Sequence, residues 1–392
     1  MTLTGFVLLY IAATIAIGVI AATRVKNTSD FALAGRSLPL PMVITATFAT
    51  WFGSETILGL PGRFIESGIA GVIEEPFGSG MALILVGTFF AHKLYKQNIL
   101  TLGDYYRDRY GRSVELLCSV AIVISYLGWV GAQVTALGLV INLITEGAVS
   151  MTTGMVIGAA VVLAYTMVGG MWSVAMTDFV QMIVIVVGLV AILWFATDLA
   201  GGMDKVVDYA RGRDLFHAFP EPTTTGWLFW ISAAMTMMIG SIPQQDVFQR
   251  VMSAKNLPTA VAGPILGGSF YILFAFVPMF IVVAAILVMP DAAEKMLSED
   301  PQQLLPTLVR DYMPMWLRVV FFGAVLSAVM STASATMLAP STIFVENVLR
   351  HFMKIDDRNM LRAMRLSVAV FAVCVLSYSI ALEGAAIYDM VA

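Results

Sequence analysis

Charge is scarce in this chain: Asp, Glu, Lys and Arg make up 12% of its 392 residues, about half the roughly 25% of a soluble domain. Twenty-six acids and 22 bases cannot clothe a water-soluble protein of this length. Cysteine is almost absent, and Cys118 and Cys374 both lie inside apolar runs. Neither a disulfide framework nor a metal-ligand cluster is therefore indicated. The three histidines, His92, His217 and His351, fall in loops or at span ends. No intramembrane pair exists to hold a haem, which excludes a membrane redox enzyme. Short repeats are lacking too, and with so high an apolar content collagen, coiled coil and disorder are excluded.

What is plentiful is apolar sequence, 59% of the chain. It falls in blocks of about 20 residues, the length a helix needs to cross a bilayer. Ten spans are expected, at 3–23, 41–61, 70–91, 114–145, 151–168, 176–199, 225–244, 258–289, 316–348 and 363–383. The fold class is thus an all-α polytopic membrane protein, with the lipid bilayer as its surroundings and no sign of a nucleic-acid partner. The first span has no basic residue ahead of its apolar core, and Arg24 and Lys26 follow it, so it is not a cleaved signal peptide. That order sets the N-terminus outside a plasma (inner) membrane. Alternate loops then carry 15 of the 22 Lys and Arg on the cytoplasmic side, against 7 outside. The segment Leu215–Thr225 reads as a Pro/Thr-rich external loop, and Pro290–Pro314 as a short amphipathic external helix.

Polar residues inside spans mark candidate sites, because a bilayer makes them costly. The second span holds Thr45, Thr47, Thr50, Gly53, Ser54, Glu55, Thr56, Gly59 and Pro61. Such a composition suits a helix broken near the midplane, with freed carbonyls for a cation; it equally suits a small-residue packing face. The seventh span ends in Gly240, Ser241 and Pro243, followed by Gln244, Gln245 and Asp246. Interruptions at corresponding places in two halves point to an inverted-repeat transporter. In the ninth span Ala328, Ser331 and Thr332 stand at i, i+3 and i+4, on one helical face. One carbonyl and two hydroxyls there can converge on a monovalent cation, or the hydroxyls can bond back to their own helix.

Four strings, AGRSLPL at 34–40, TWFGSETILGLPG at 50–62, AYTMVGGMWSVAMTDFVQ at 164–181 and SAVMSTASATMLAPST at 327–342, resemble motifs of the sodium:solute symporter family. DVFQRVMSAKN at 246–256 is a weaker fifth match. The resemblance runs from about residue 3 to the end. It implies a LeuT-type fold: an extra N-terminal helix (1–24), a first inverted repeat of five helices (41–200) and a second over 225–392. It further implies sodium as coupling ion, held by the carbonyls of Ala49, Phe52 and Ala328 and the hydroxyls of Ser331 and Thr332. Asp178 matches an aspartate at the cytoplasmic end of the sixth span that steers sodium on its way out; the alternative is a surface charge capping that helix. The proline members carry an aspartate where this chain has Trp51, and Glu55, one turn later, resembles the acid of sugar-type members. The final AIYDMVA resembles the start of the last core helix, so the second repeat is expected to lack it and to leave one face of the bundle open.

A substrate site is expected beside the two breaks. The nominated residues are Gly53, Ser54, Glu55 and Thr56 at the first break, Glu75 in the third span, Trp129 and Gln133 in the fourth, and Gln244 at the second break. Acids there admit a cationic or zwitterionic solute, and an amino acid or similar small zwitterion is favoured. Sodium-coupled symport by alternating access is the expected activity; a proton-coupled symporter or the membrane module of a sensor are its rivals. Oligomeric state leaves no trace in the sequence.

Overall fold

A computed structural model of the chain describes residues 3–353, 356–382, 384 and 387–391. Among them the secondary structure is helical throughout, with one isolated bridge between Leu38 and Ala254. We label the membrane elements α1 (Leu3–Ala22), α2 (Leu40–Trp51), α3 (Leu60–Ser67), α4 (Ile69–Gln97), α5 (Arg112–Ile144), α6 (Met151–Leu199), α7 (Thr224–Gly240), α8 (Gln245–Ser253), α9 (Leu257–Val288), α10 (Met315–Phe352) and α11 (Asn359–Ala381).

Seven helices are individually long and apolar enough to cross a membrane, and the bent pair α7–α8 makes an eighth. The difference from ten expected spans has two causes. The fifth and sixth spans run together as α6, whose 49 residues would stretch about 73 Å, over twice the hydrocarbon thickness. They turn at Gly170, where φ is 50° and ψ is −138°. A side chain there would be strained and would collide with the Phe31 carbonyl. The second span is split into α2 and α3, each too short to cross alone. Glu383, the end of the tenth expected span, lies outside the described residues, as do Ala386 and Ala392 of the final string.

The Leu215–Thr225 segment is a loop except for its last two residues, which begin α7. The expected single external helix is two, Pro290–Glu299 and Leu304–Tyr312, joined by a 3₁₀ turn.

Burial grades from the rim to an axis. On α1, Leu8, Leu9 and Ile20 are each about 60% exposed. Leu117, Val187, Trp194 and Leu273 are likewise exposed on other helices. An apolar skin of this extent belongs in lipid. In α10, by contrast, every residue from 324 to 343 is buried, including seven Ser and Thr. Helix α10 is the axis, and both interrupted segments lie beside it.

Each interruption has a local cause. α2 stops at Phe52 (φ −90°, ψ 70°), followed by Gly53. The next turn, Glu55–Gly59, is a π turn in which Leu60 N–H bonds the Glu55 carbonyl. Pro61 then opens α3, where its missing N–H is no loss. Between α7 and α8 the axis bends by 45° across Ser241–Gln244, a stretch that contains Pro243, which carries no N–H to continue α7.

Candidate functional site

The first break meets α10 through side chains that point across the interface. The Thr332 hydroxyl donates to the Ala49 carbonyl at 3.3 Å, and the Ser331 hydroxyl donates to Asp178 Oδ1 at 2.6 Å. Thr336, Ser341 and Thr342, on the same helix, instead donate to carbonyls of their own helix four residues back. The back-bonding alternative thus describes those three and not Ser331 or Thr332. Ala49, Phe52 and Ala328 are fully buried around this contact. Asp178 is fully buried as well, within α6, and its Oδ2 has no hydrogen-bond partner among the described residues. It is therefore no surface cap. A buried carboxylate oxygen without a partner is costly; its carboxylate holds Ser331, whose neighbour Thr332 reaches the Ala49 carbonyl, and such hard oxygens are the kind a sodium ion takes.

Across Gly53 lies a second cluster. Glu55 accepts from Gln133 Nε2 at 2.7 Å, from Trp129 Nε1 at 3.3 Å and from the Ser54 hydroxyl at 3.4 Å. Gln133 Oε1 in turn accepts from the Ser54 N–H at 3.0 Å, so the amide of α5 bridges the broken backbone and its acid. Glu75 accepts from Ser79 at 2.6 Å and Thr56 at 3.4 Å. Gly53 is wedged between the clusters: a Cβ there would lie 2.6 Å from Glu55 Oε2, 2.8 Å from Thr332 Oγ1 and 2.9 Å from Gln133 Oε1.

A cavity of about 50 Å³ opens on this cluster. Trp51, Tyr126 and Trp129 give it aromatic walls, Glu55 and Glu75 give it carboxylates, and Gln244 lines it as well, its Oε1 without a partner among the described residues. The indole of Trp51 lies 5.1 Å from that of Trp129, which stacks on Tyr126 at 6.0 Å. Among the described residues, no Lys, Arg or His lines the cavity.

Of the nominated residues, Glu55, Glu75, Trp129 and Gln244 line the cavity, whereas Gly53, Ser54, Thr56 and Gln133 support it from behind. Trp51 and Tyr126 were not nominated, although Tyr126, Trp129 and Gln133 stand at i, i+3 and i+7, one face of a helix. Tyr271, whose hydroxyl lies 3.2 Å from that of Thr56, has no comparable signal. Asp246 and Arg250 are both buried; in the sequence Asp246 stands out only as a polar residue after the second break, and Arg250 only within the DVFQRVMSAKN string.

Comparison with known proteins follows the same lines. A family model described as "Sodium:solute symporter family" matches residues 31–392. "High affinity choline transporter 1" of Homo sapiens is 29% identical over 378 residues, covering 91% of this chain and 63% of the relative. "High-affinity choline transporter 1" of Caenorhabditis elegans is 27% identical, covering 93% and 64%. The chain therefore spans just under two thirds of these curated relatives. Among solved structures, a Na+-coupled sialic acid symporter in a substrate-bound outward-open state superposes with a TM-score of 0.85 at 18% identity, covering 97% of this chain and 82% of that one. The shared architecture is the LeuT-type fold.

Proposed function

Since this chain belongs to the sodium:solute symporter family, we propose that it serves sodium-coupled import of a small organic cation of the quaternary-ammonium, choline-like kind. The observation that carries the substrate class is the cavity wall: three aromatic rings and two carboxylates with no basic residue. A quaternary ammonium has no N–H to donate and is held by π faces and diffuse negative charge. An amino acid would need a partner for its own carboxylate, and two acids oppose it. The similarity to choline transporters agrees with the cationic reading.

In the proposed cycle sodium binds the carbonyls of Ala49, Phe52 and Ala328 and the hydroxyls of Ser331 and Thr332, with Asp178 beside them. The ion ties the first break to α10 and stiffens the backbone that carries Gly53–Thr56. Glu55 is then fixed for the organic cation, and by linkage each ligand tightens the other equally. Alternating access follows from rocking of two inverted repeats, 41–200 and 225–392, with α1 outside them and the N-terminus on the external side. An inward-negative potential adds roughly 2.3 kcal/mol per charge per 100 mV to uptake of both cations.

The test is flux into proteoliposomes at fixed pH, with sodium replaced by N-methyl-D-glucamine in the control. Sodium should drive accumulation of radiolabelled choline, competed by tetramethylammonium and not by its neutral isostere 3,3-dimethylbutan-1-ol. Equal competition by the neutral isostere, or by proline, would remove the organic-cation assignment. Uptake indifferent to sodium would remove the coupling ion.

A further inference from the structure

The carboxylate of Asp246 stands behind the cavity rather than in it. It is fully buried at the start of α8. Its Oδ2 accepts from the Trp51 indole N–H at 3.2 Å, and its Oδ1 accepts from the Tyr126 hydroxyl at 2.5 Å. The same hydroxyl accepts from the Asp246 backbone N–H at 2.9 Å, so Tyr126 is gripped by that residue twice. The third ring, Trp129, gives its indole N–H to Glu55. All three aromatic walls therefore give their polar edges to carboxylates, Trp51 and Tyr126 to Asp246 behind the cavity and Trp129 to Glu55 in its lining.

Arg250, also buried, fixes the other side of Asp246. Its Nη1 donates to the Asp246 carbonyl at 2.9 Å and its Nη2 to the Thr50 hydroxyl at 2.6 Å. The guanidinium thus spans from the second break to the first without occupying the carboxylate, whose two oxygens remain for Trp51 and Tyr126. One acid on α8 consequently sets two rings that come from α2 and α5.

We propose that Asp246 is a specificity-determining positioning residue: it orients Trp51 and Tyr126 face-on to the cavity and, as an anionic acceptor, enriches both rings for a cation. The role rests on the organic-cation reading of that cavity. Asp246 touches no substrate and acts only through the two rings. An amide at this position keeps the volume but loses the charge and one acceptor, so one ring is released. Losing a hydrogen bond to a charged group shifts an equilibrium by about tenfold or more.

The experiment compares wild type, Asp246→Asn, Tyr126→Phe and the double variant in choline flux. Asp246→Asn should raise the choline KM by about tenfold, with Vmax and the half-saturating sodium concentration each within about twofold. Tyr126→Phe removes only a hydroxyl and should raise KM less, and the double variant should be no worse than Asp246→Asn alone. Unchanged KM, a fall in Vmax alone, or multiplicative effects in the double variant would overturn the role. A second readout needs no transport: in substrate-free protein Asp246→Asn should change the near-ultraviolet circular dichroism, and the change should vanish when Trp51 and Tyr126 are both replaced by Phe. Wild type that takes up no choline would fail the proposed function alone, and the spectrum then decides the positioning: no change, or a change that survives when Trp51 and Tyr126 are both replaced by Phe, overturns it.

Discussion

On one side of Gly53 the buried polar atoms are hydroxyls, a backbone carbonyl and a carboxylate oxygen left without a partner. On the other side they are indoles, a phenol and two carboxylates around a cavity. Both regions suit a monovalent cation, and they suit different ones. Sodium sheds its water only where small oxygens replace it, and neutral oxygens hold it weakly enough for release. A quaternary ammonium is large and weakly hydrated, so ring faces serve it better than point ligands. On the proposed reading one broken helix serves both cations, because Thr332 and Glu55 come from the two regions and abut the same glycine.

The sharpest way to break this division is Gly53→Ala. The added methyl would press on Glu55, Thr332 and Gln133 together, all under 3 Å from it. Overpacking costs about 1–3 kcal/mol, so choline and sodium affinities should both fall by about tenfold or more, read by isothermal titration of each ligand. Loss of one affinity with the other intact would show that the glycine does not join the two regions. Next in size is Ser331→Ala with Thr332→Ala. Sodium stimulation of uptake should disappear, and choline affinity measured in sodium should drop to the sodium-free value of wild type, as linkage requires. Normal sodium dependence in that variant would sink the ion site.

The contrast between the two regions also explains what could be read from sequence. The oxygen side was legible because its donors recur within one helical turn of α10 and within one glycine-interrupted run of α2. Even Asp178 was picked out, although its burial was not, since the fold at Gly170 that brings α6 against α10 is a single positive-φ residue inside an apolar stretch. The aromatic side draws on segments 74 to 195 residues apart, reckoned from the hydrogen bonds that join them, and no spacing rule links them. Trp51 was visible only as a departure from the proline members. Its meaning depends on Tyr126, Trp129 and Asp246 arriving from α5 and α8. For the same reason a zwitterion seemed the better solute: two acids were apparent, whereas the missing basic residue is a property of the assembled wall.

The smallest expected effect lies at the second break, with Gln244→Ala. This residue lines the cavity, and its Oε1 has no partner among the described residues. An amide oxygen aimed at a bound cation contributes about 0.5–1.5 kcal/mol, so the choline KM should rise by about threefold while sodium half-saturation stays put. Removing an unsatisfied buried acceptor also relieves a cost in the empty protein, so its thermal midpoint should hold or rise slightly. Weaker substrate binding with equal or greater stability is the pattern of a group kept for its ligand. A shift in sodium affinity as large as that for choline would instead assign the second break to the ion, and the division at Gly53 would no longer hold.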